Sequence, residues 1–440
     1  MMHKQLTLKT LIFFSVSLLF GISVGTPLRA GQNVPLTTHQ YEEDFDFLWK
    51  EIADSYAYFD QKQTDWQQVK RRYRPQTSTV TNRAEFIGLL ERTLEELYDF
   101  HCNLNTNTES SPVLVPTDAD LWAEWRQGHA FITEVRPDSP ARRAGIRTGM
   151  EVISINGTPV RQAVDARIGF CLRHKDIKAL NWSLQTLLAG RHNETRRIAF
   201  REEKRVSTKT LPIYKRFQAT GKTSPDLLES RTLTQNPQLG YIRLHNSLGE
   251  TSLSVAFDKA LEGLKSTQGL ILDLRDTPSG GSSTVARAIM GRFISQTMFY
   301  QRHSVPAEER VYGVKRSWIE EVSPRGTFCY TGAVVVLVDH WTGSMGEGLT
   351  IGMDAMNRAR IVGTKMARLL GATEGILLPN SHIQVHFPTE KLFHVNRKPR
   401  EAFIPPVSVN LLSSSSQQME DPILRAGIET LSRSLKRRVR

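Results

Sequence analysis

Apolar residues near the start of the chain recur at helical spacing. Between residues 41 and 59, and again between residues 82 and 98, they return every three or four positions. Each stripe is long enough to bury one face of a helix against a partner. The pattern predicts a small helical domain over residues 31–112, whose last helix leads into Asp99-Phe100-His101.

The spacing changes to that of short strands between residues 113 and 215. Residues 130–132 and 152–155 have strand character, and Asn156-Gly157 directly after the second is a strong signal for a tight turn. Between the two strands, residues 139–145 have the order of a capped helical turn, with serine before proline and glycine at the end. A β-rich domain is therefore expected here.

A polar stretch over residues 216–237 carries glycine, serine, threonine and proline, which is typical of a linker. Beyond it, apolar strands alternate with amphipathic helices as far as residue 435. Residues 269–274 and 333–338 are apolar throughout, as expected of strands buried on both faces. The alternation predicts an α/β domain with a mostly parallel sheet over residues 238–435.

The first thirty residues have the pattern of a secretory signal peptide. Lys4 and Lys9 precede an apolar run from Leu11 to Val24, and Leu28-Arg29-Ala30 places a small residue at a cleavage point. The run is shorter than the ~20 residues that a membrane-spanning helix needs, which favours cleavage over a retained anchor. A periplasmic or otherwise extracytoplasmic location is expected.

Composition excludes several classes of protein. A chain of 440 residues is too long for one core, so several domains are expected. The net charge of +12, or +9 without residues 1–30, is scattered and lacks interleaved aromatic residues, so no nucleic-acid partner is expected. Three cysteines, Cys102, Cys171 and Cys329, are too few for a disulfide framework, and all three are expected to be free and buried.

Ser344 is the first candidate for chemistry. It follows the apolar strand 333–338, and ligand sites of open α/β sheets lie beyond the carboxyl ends of the strands. The glycines at 343 and 346 permit a sharp turn that lifts the hydroxyl from the sheet and directs the N–H group of Met345 to the same point. The alternative is a structural serine that caps the next helix, with Glu347 completing a capping box.

A second glycine-rich segment follows the strand at 269–274. Gly280 and Gly281 have no side chain to obstruct a substrate, so their N–H groups could stabilise a developing oxyanion. The alternative is a plain turn between a strand and a helix. Ser282 and Ser283 are rival nucleophiles, or caps of the helix that follows.

A serine nucleophile needs a base, and the chain has twelve histidines. His101 lies at a helix end beside Asp99, where it could equally stabilise the helix dipole. His340 is a competitor because it is close in sequence to the candidate serine. His382 and His386 share one face of a predicted strand, but two histidines without a third ligand are weak evidence for metal, and no metal is expected.

Several ordered segments together resemble one family, the carboxyl-terminal processing peptidases, in the branch that includes the tricorn core and retinoid-binding repeats. Residues 136–157 resemble a PDZ domain, and residues 269–281 resemble the family's G-L-I-L-D-L-R-x-N-P-G-G stretch. Residues 341–347 resemble its nucleophile segment. Residues 358–364 and 378–381 match two segments that lie further along the family's sequences. The resemblance extends over nearly all of the chain beyond residue 30.

The resemblance implies one of two catalytic designs. The processing-protease branch uses a Ser–Lys dyad, but Leu369 stands where its lysine falls, and Lys365 is out of register. The tricorn-like branch uses serine, histidine and glutamate. Its pattern implies Ser344 as nucleophile, His101 as general base and Glu401 as the carboxylate that orients the imidazole.

The fold class implied is α/β and multidomain, with a helical N-terminal domain, a PDZ-like β-rich domain and an α/β catalytic domain. The expected function is that of an exported serine endopeptidase without cofactor, in which the PDZ-like domain captures the tails of protein or peptide substrates by strand addition. The alternative is a catalytically inactive PDZ scaffold or a relative that binds an apolar ligand.

Overall fold

The apolar stripes of the N-terminal region form helices, which pack against strands contributed by a much later part of the chain. The computed structural model describes residues 36–214, 226–235, 238–412 and 421–438. The predicted signal peptide and the first part of the predicted linker lie outside these residues. The elements of this first region are α1 (Thr38–Ser55), α2 (Trp66–Tyr73), α3 (Arg83–Glu95) and a short strand β1 (Asn103–Leu104).

The β-rich region forms an independent core, as its alternating strands predict. Its main sheet has the order β2-β3-β4-β6-β7, with β5 paired to β4. Asn156 and Gly157 both have positive φ angles, as the predicted tight turn requires. The elements are β2 (Leu121–Arg126), β3 (His129–Val135), α4 (Pro140–Arg143), β4 (Glu151–Ile155), β5 (Thr158–Pro159), α5 (Val160–Arg167), α6 (Ile177–Ala189), β6 (Arg196–Glu202) and β7 (Arg205–Leu211).

The third region contains the alternating strands and helices that the hydrophobic pattern predicts, together with a group of strands that it does not. Its elements are β8 (Leu228–Gln235), β9 (Gln238–Leu244), α7 (Leu253–Gly263), β10 (Gly269–Asp273), α8 (Ser283–Met290), β11 (Met298–Val305), α9 (Pro306–Tyr312), β12 (Arg316–Val322), β13 (Ala333–Val338), α10 (Met345–Ala355), β14 (Arg360–Gly363), β15 (Ala372–Leu377), β16 (Gln384–Phe393), β17 (Val407–Ser408) and α11 (Pro422–Arg438).

A six-stranded sheet of order β17-β14-β13-β10-β9-β8 forms the centre of this region. All of its strand pairs are parallel except β8 with β9. Residues of β10 and β13 point alternately into a core with α7, α8 and α10 and into a second core with α11, so both strands are buried on both faces. The α/β, multidomain fold class is thereby confirmed.

A second sheet, of order β1-β16-β11-β12 with β15 beside β16, connects the first region to the third. Val385 and Phe387 of β16 share one buried core with Phe45 and Phe86 of the N-terminal helices. The hydrophobic pattern did not reveal this sheet, because its strands mix polar and apolar residues on both faces. It is what holds the N-terminal helices against the α/β region.

Three local expectations need correction. Residues 228–235, assigned to a linker, form the edge strand β8. His382 precedes β16 in a left-handed conformation with φ of 53°, so it does not share a strand face with His386. The cysteines are free, but Cys171 alone is buried, while Cys102 and Cys329 are partly exposed. Within the described residues, no helix has the length and apolar character needed to cross a bilayer.

Candidate active site

The two glycine-rich segments meet at the carboxyl edge of the central sheet. β10 and β13 are parallel neighbours, so the loops that follow them leave the sheet side by side. A bridge pairs Thr277 with Thr342, and the Gly343 N–H donates to the Thr277 carbonyl oxygen at 3.2 Å. The register of two buried strands therefore places the candidate nucleophile beside the candidate oxyanion loop.

Ser344 has the strained backbone of a nucleophile elbow. Its φ of 49° and ψ of −112° lie outside the regions that residues with a side chain normally occupy. It directly precedes α10, whose Glu347 N–H donates to the Ser344 carbonyl oxygen at 3.0 Å. The Ser344 hydroxyl instead faces the His101 ring, with Oγ 3.1 Å from Nε2.

Glu347 is fully buried behind the elbow, and its role is wider than that of a helix cap. One carboxylate oxygen accepts from the Ser344 N–H at 3.0 Å and from the Leu369 N–H at 3.1 Å, and the other accepts from the Arg368 N–H at 2.9 Å. Burial raises the pKa of Glu347 to about 7, against the opposing effect of Arg400. The carboxylate thus joins the nucleophile turn to the loop that follows β14.

His101 reaches Ser344 from the N-terminal region because the chain on both sides of it is fixed. On one side, Asp99 accepts from the His101 backbone N–H at 2.9 Å and from the Tyr56 hydroxyl at 2.7 Å. On the other side, β1 pairs antiparallel with β16. The turn and the strand together present the ring across the domain boundary.

A backbone carbonyl fixes the tautomer of His101. Nδ1 lies 2.6 Å from the Leu370 carbonyl oxygen, which can only accept, so Nδ1 carries the proton. In the neutral ring, Nε2 is then an acceptor and faces the Ser344 hydroxyl. Burial lowers the pKa of His101, although the bond to Leu370 opposes this effect. With a proton on Nδ1 and none on Nε2, the neutral ring has the tautomer that a general base needs.

Glu401 is not hydrogen-bonded to His101 in this structure, since Leu370 occupies the Nδ1 position. One carboxylate oxygen accepts a long hydrogen bond of 3.4 Å from Gln61, and the other is buried without a hydrogen-bond partner. The side chain lines a cavity of about 200 Å³ that Asp99 and Leu370 also line. Glu401 therefore lines the same cavity as Leu370, the carbonyl partner of His101, without a hydrogen bond to the ring.

The three expected oxyanion donors differ in their availability. The Gly280 N–H is used in a turn, where it donates to the Thr277 carbonyl oxygen at 3.1 Å. Among the described residues, the N–H groups of Gly281 and Met345 have no hydrogen-bond partner. A methyl group on Gly280 would lie 2.6 Å from Met345 N and 2.8 Å from Ser344 Oγ. Position 280 thus needs glycine because its backbone lies close to Ser344 and Met345. The N–H groups of Gly281 and Met345 remain available to an oxyanion.

The rival serine and histidine candidates are engaged elsewhere. Ser282 caps α8, since its Oγ accepts from the Thr284 N–H at 3.2 Å. His340 is buried and donates from Nδ1 to Glu134. No group of three metal-ligating side chains occurs within the part of the chain that is described.

Lys365, the lysine nearest to the place required by the alternative dyad, is already ion-paired. Lys365 Nζ contacts Glu124 of the PDZ-like sheet at 3.0 Å, and its side chain is 41% exposed. Leu369 takes the expected place of the lysine and is buried. Sequence reasoning did not foresee that the Leu370 carbonyl would orient the histidine, because a main-chain acceptor has no signature in the sequence.

Comparisons with known proteins agree with the three regions. Residues 238–402 match peptidase family S41, residues 38–95 match the tricorn protease C1 domain, and residues 131–168 match a PDZ domain. A search of curated proteins found no match to the sequence. The three matches follow one another in the same order as the helical, β-rich and α/β regions.

Two solved structures share the fold over almost their whole length. Mature CPAF is 15% identical, with a TM-score of 0.56, and the alignment covers 91% of this chain and 97% of that one. The photosystem II D1 C-terminal processing protease is 16% identical, with a TM-score of 0.53 and coverage of 90% and 97%. At such identities the likeness concerns the fold alone.

The lowered pKa of His101 predicts how Ser344 reactivity depends on pH. Because the ring stays neutral below the ordinary pKa of about 6.5, it can accept the Ser344 proton in mildly acidic solution. We expect labelling of Ser344 by a serine-directed phosphonate to fall in acid with a midpoint below pH 6.5. His382→Asn, which changes an exposed histidine in a conformation that asparagine tolerates, should leave the midpoint unchanged. Because Glu347 beside Ser344 has a pKa of about 7, Glu347→Gln is measured as well, and a midpoint above 6.5 that persists in this variant would contradict the assignment.

Proposed function

We propose that this chain, which belongs to peptidase family S41 and is a serine-type peptidase, cleaves peptide bonds with Ser344 as nucleophile and His101 as general base. The observation that carries the proposal is the 3.1 Å contact between Ser344 Oγ and His101 Nε2, in a ring whose Nδ1 proton is bound by a carbonyl. This arrangement leaves Nε2 as the acceptor for the serine proton.

The proposed reaction proceeds through an acyl-enzyme. Ser344 Oγ attacks the substrate carbonyl carbon while its proton passes to His101 Nε2. The resulting oxyanion accepts from the N–H groups of Met345 and Gly281, neither of which donates to a backbone carbonyl within the described residues. The C–N bond then breaks, and His101 returns the proton to the leaving amine. Water deprotonated by the same imidazole hydrolyses the ester and regenerates Ser344.

For Glu401 we propose a supporting electrostatic role. Glu401 has an unpaired, buried oxygen and lines the same cavity as Leu370, the carbonyl partner of His101. A negative charge there would stabilise the imidazolium that forms during the reaction. Because Leu370 already fixes the tautomer, the carboxylate is not needed to orient the ring. Its removal should therefore be less harmful than removal of the histidine.

Substrate capture by the PDZ-like domain is proposed at the edge of β2. That edge is now covered by α6: the Ala123 N–H donates to Gln185 at 3.1 Å, and the Trp125 N–H donates to Asn181 at 2.7 Å. Gln185 in turn donates to the Leu121 carbonyl oxygen at 2.5 Å. The side-chain amides of Gln185 and Asn181 occupy the hydrogen-bonding groups that a neighbouring strand would use. An incoming peptide must therefore displace them to add to the sheet.

An extracytoplasmic site of action is proposed from residues 1–30, whose charged start, apolar run and small residue before position 31 are typical of a signal peptide. An unfolded protein in that compartment would be a suitable substrate for an endopeptidase with a tail-binding domain.

The catalytic roles can be separated by four variants assayed on a short peptide. Ser344→Ala should abolish hydrolysis, and His101→Ala should lower kcat by about 10⁴-fold or more, as removal of a nucleophile or its base does in other serine peptidases. Glu401→Gln should be milder, for the reason given above. Lys365→Ala should be nearly neutral, because its amine is exposed and bound to Glu124. An inactive Lys365→Ala with an active His101→Ala would instead support a Ser–Lys dyad.

Freeing the β2 edge should favour long substrates. In the double variant Asn181→Ala and Gln185→Ala, three backbone groups of β2 lose their partners and become available to a peptide. We expect KM to fall for a reduced, carboxymethylated protein substrate and to change little for a tetrapeptide. Gln162→Ala, an exposed amide on the neighbouring α5, serves as the control. Unchanged KM for the long substrate would argue against capture at this edge.

The compartment is tested by the N-terminus of the native protein. Mass spectrometry should find a mature chain that begins near Gly31. An intact Met1 on protein isolated from its source would contradict export with cleavage.

A further inference from the structure

The end of β3 in the PDZ-like domain contacts both catalytic loops of the α/β domain. Glu134 lies in β3, and Arg136 is the first residue after the strand, two positions further along the chain. Each makes a polar contact across the domain boundary, the first to His340 and the second to Asp276. Neither contact forms part of the substrate-capture edge at β2.

Glu134 holds the loop that carries the nucleophile. Its Oε2 accepts from His340 Nδ1 and from the Thr364 hydroxyl, the latter at 2.9 Å. Trp122, the cross-strand neighbour of Glu134, stacks on the His340 ring with a centroid separation of 4.7 Å. Glu134 and His340 are each 5% exposed, so the contact is shielded from solvent. His340 is only four residues before Ser344.

Arg136 holds the loop that carries the oxyanion glycines. Its guanidinium donates to Asp276 at 3.1 Å and to the Thr117 carbonyl oxygen at 2.7 Å. The side chains of Arg136 and Asp276 are 5% and 13% exposed, respectively. Asp276 is four residues before Gly280. The end of β3 and the residue after it are therefore tied to both loops, close along the chain to Ser344 and to the oxyanion glycines.

A buried polar contact of this kind constrains geometry more than it adds stability. The desolvation of the charged groups offsets much of their attraction, but removal of one partner leaves the other buried and unpaired. The two loops have to keep Ser344 Oγ and the amides of Met345 and Gly281 in register within a fraction of an ångström. A common anchor outside the α/β domain can fix that register.

We propose that Glu134 and Arg136 are positioning residues for the chemical step, which they support through His340 and Asp276 without touching substrate. The inference rests on the proposed function, because it assumes that Ser344 and the neighbouring amides carry out the reaction. It goes beyond that function by giving the PDZ-like domain a part in turnover itself, even for substrates too short to reach the β2 edge.

The test compares kcat and KM on a tetrapeptide substrate. Glu134→Ala should lower kcat by about 100-fold, the loss expected from a misplacement of roughly 1 Å, and leave KM nearly unchanged. Glu134→Gln can keep an oxygen at the position of Oε2 and should recover most of kcat. Glu151→Ala is the matched control, because Glu151 is an ion-paired residue whose partners Arg201 and His129 lie within the PDZ-like sheet. It should leave kcat unchanged.

Thermal unfolding of each variant separates positioning from loss of fold. If Glu134→Ala does not fold, Arg136→Lys decides, since it keeps the charge but cannot donate to Asp276 and Thr117 in the same geometry. A reduced kcat with normal KM in that variant supports the inference. An unchanged kcat in the folded variants overturns it, as does an equal loss in Glu151→Ala. Failure of the proposed function would give a different result, because Ser344→Ala would then still hydrolyse the tetrapeptide.

Discussion

The site depends on the hydrogen bonds that the buried carboxylate of Glu347 accepts from backbone N–H groups. The carboxylate lies beneath the turn at Ser344 and accepts from the Ser344 backbone N–H and from two successive N–H groups of the loop after β14. That loop carries the carbonyl to which His101 is bound. One buried side chain thus fixes the relative position of Ser344 and of the carbonyl that binds His101, although no hydrogen bond joins it to the Ser344 hydroxyl or to the imidazole.

The site also requires three domains to be packed together. His101, the proposed base, lies in the N-terminal region, which is joined to the α/β domain through the shared core around Phe45 and Val385. Ser344 and the proposed oxyanion donors belong to the α/β domain, and the PDZ-like domain contacts both of their loops. A reaction centre at such a boundary is sensitive to domain packing, because no single domain contains all the parts.

The sequence was most informative where local chemistry and regular spacing act together. Fully apolar strands with flanking glycines located the central sheet and the turn at Ser344, since burial on both faces leaves no polar positions. The ordered family motifs pointed to His101, which no local pattern could have linked to a serine 243 residues away. The second sheet escaped notice because its strands are partly polar.

Some features of the site cannot be predicted from residue identities alone. Glu347 could be seen only as a helix cap, because its contacts to Arg368 and Leu369 depend on how a distant loop returns. Glu401 was assigned by motif, and its separation from the imidazole follows from the main-chain path at Leu370. Long-range contacts to backbone atoms are set by tertiary packing, to which composition and periodicity give no access.

The bond between His101 and the Leu370 carbonyl has a consequence for how this site tolerates variation. Every amino acid supplies the same carbonyl oxygen, so replacement of Leu370 by another residue retains the acceptor as long as the loop keeps its path. Inherited changes that impair the orientation of the imidazole must therefore fall on residues that shape the loop, such as Arg400, which donates to the carbonyls of Leu369 and Gly371. In a saturation screen, position 370 would tolerate other apolar residues that keep its packing against the core, whereas its distant supports would look essential.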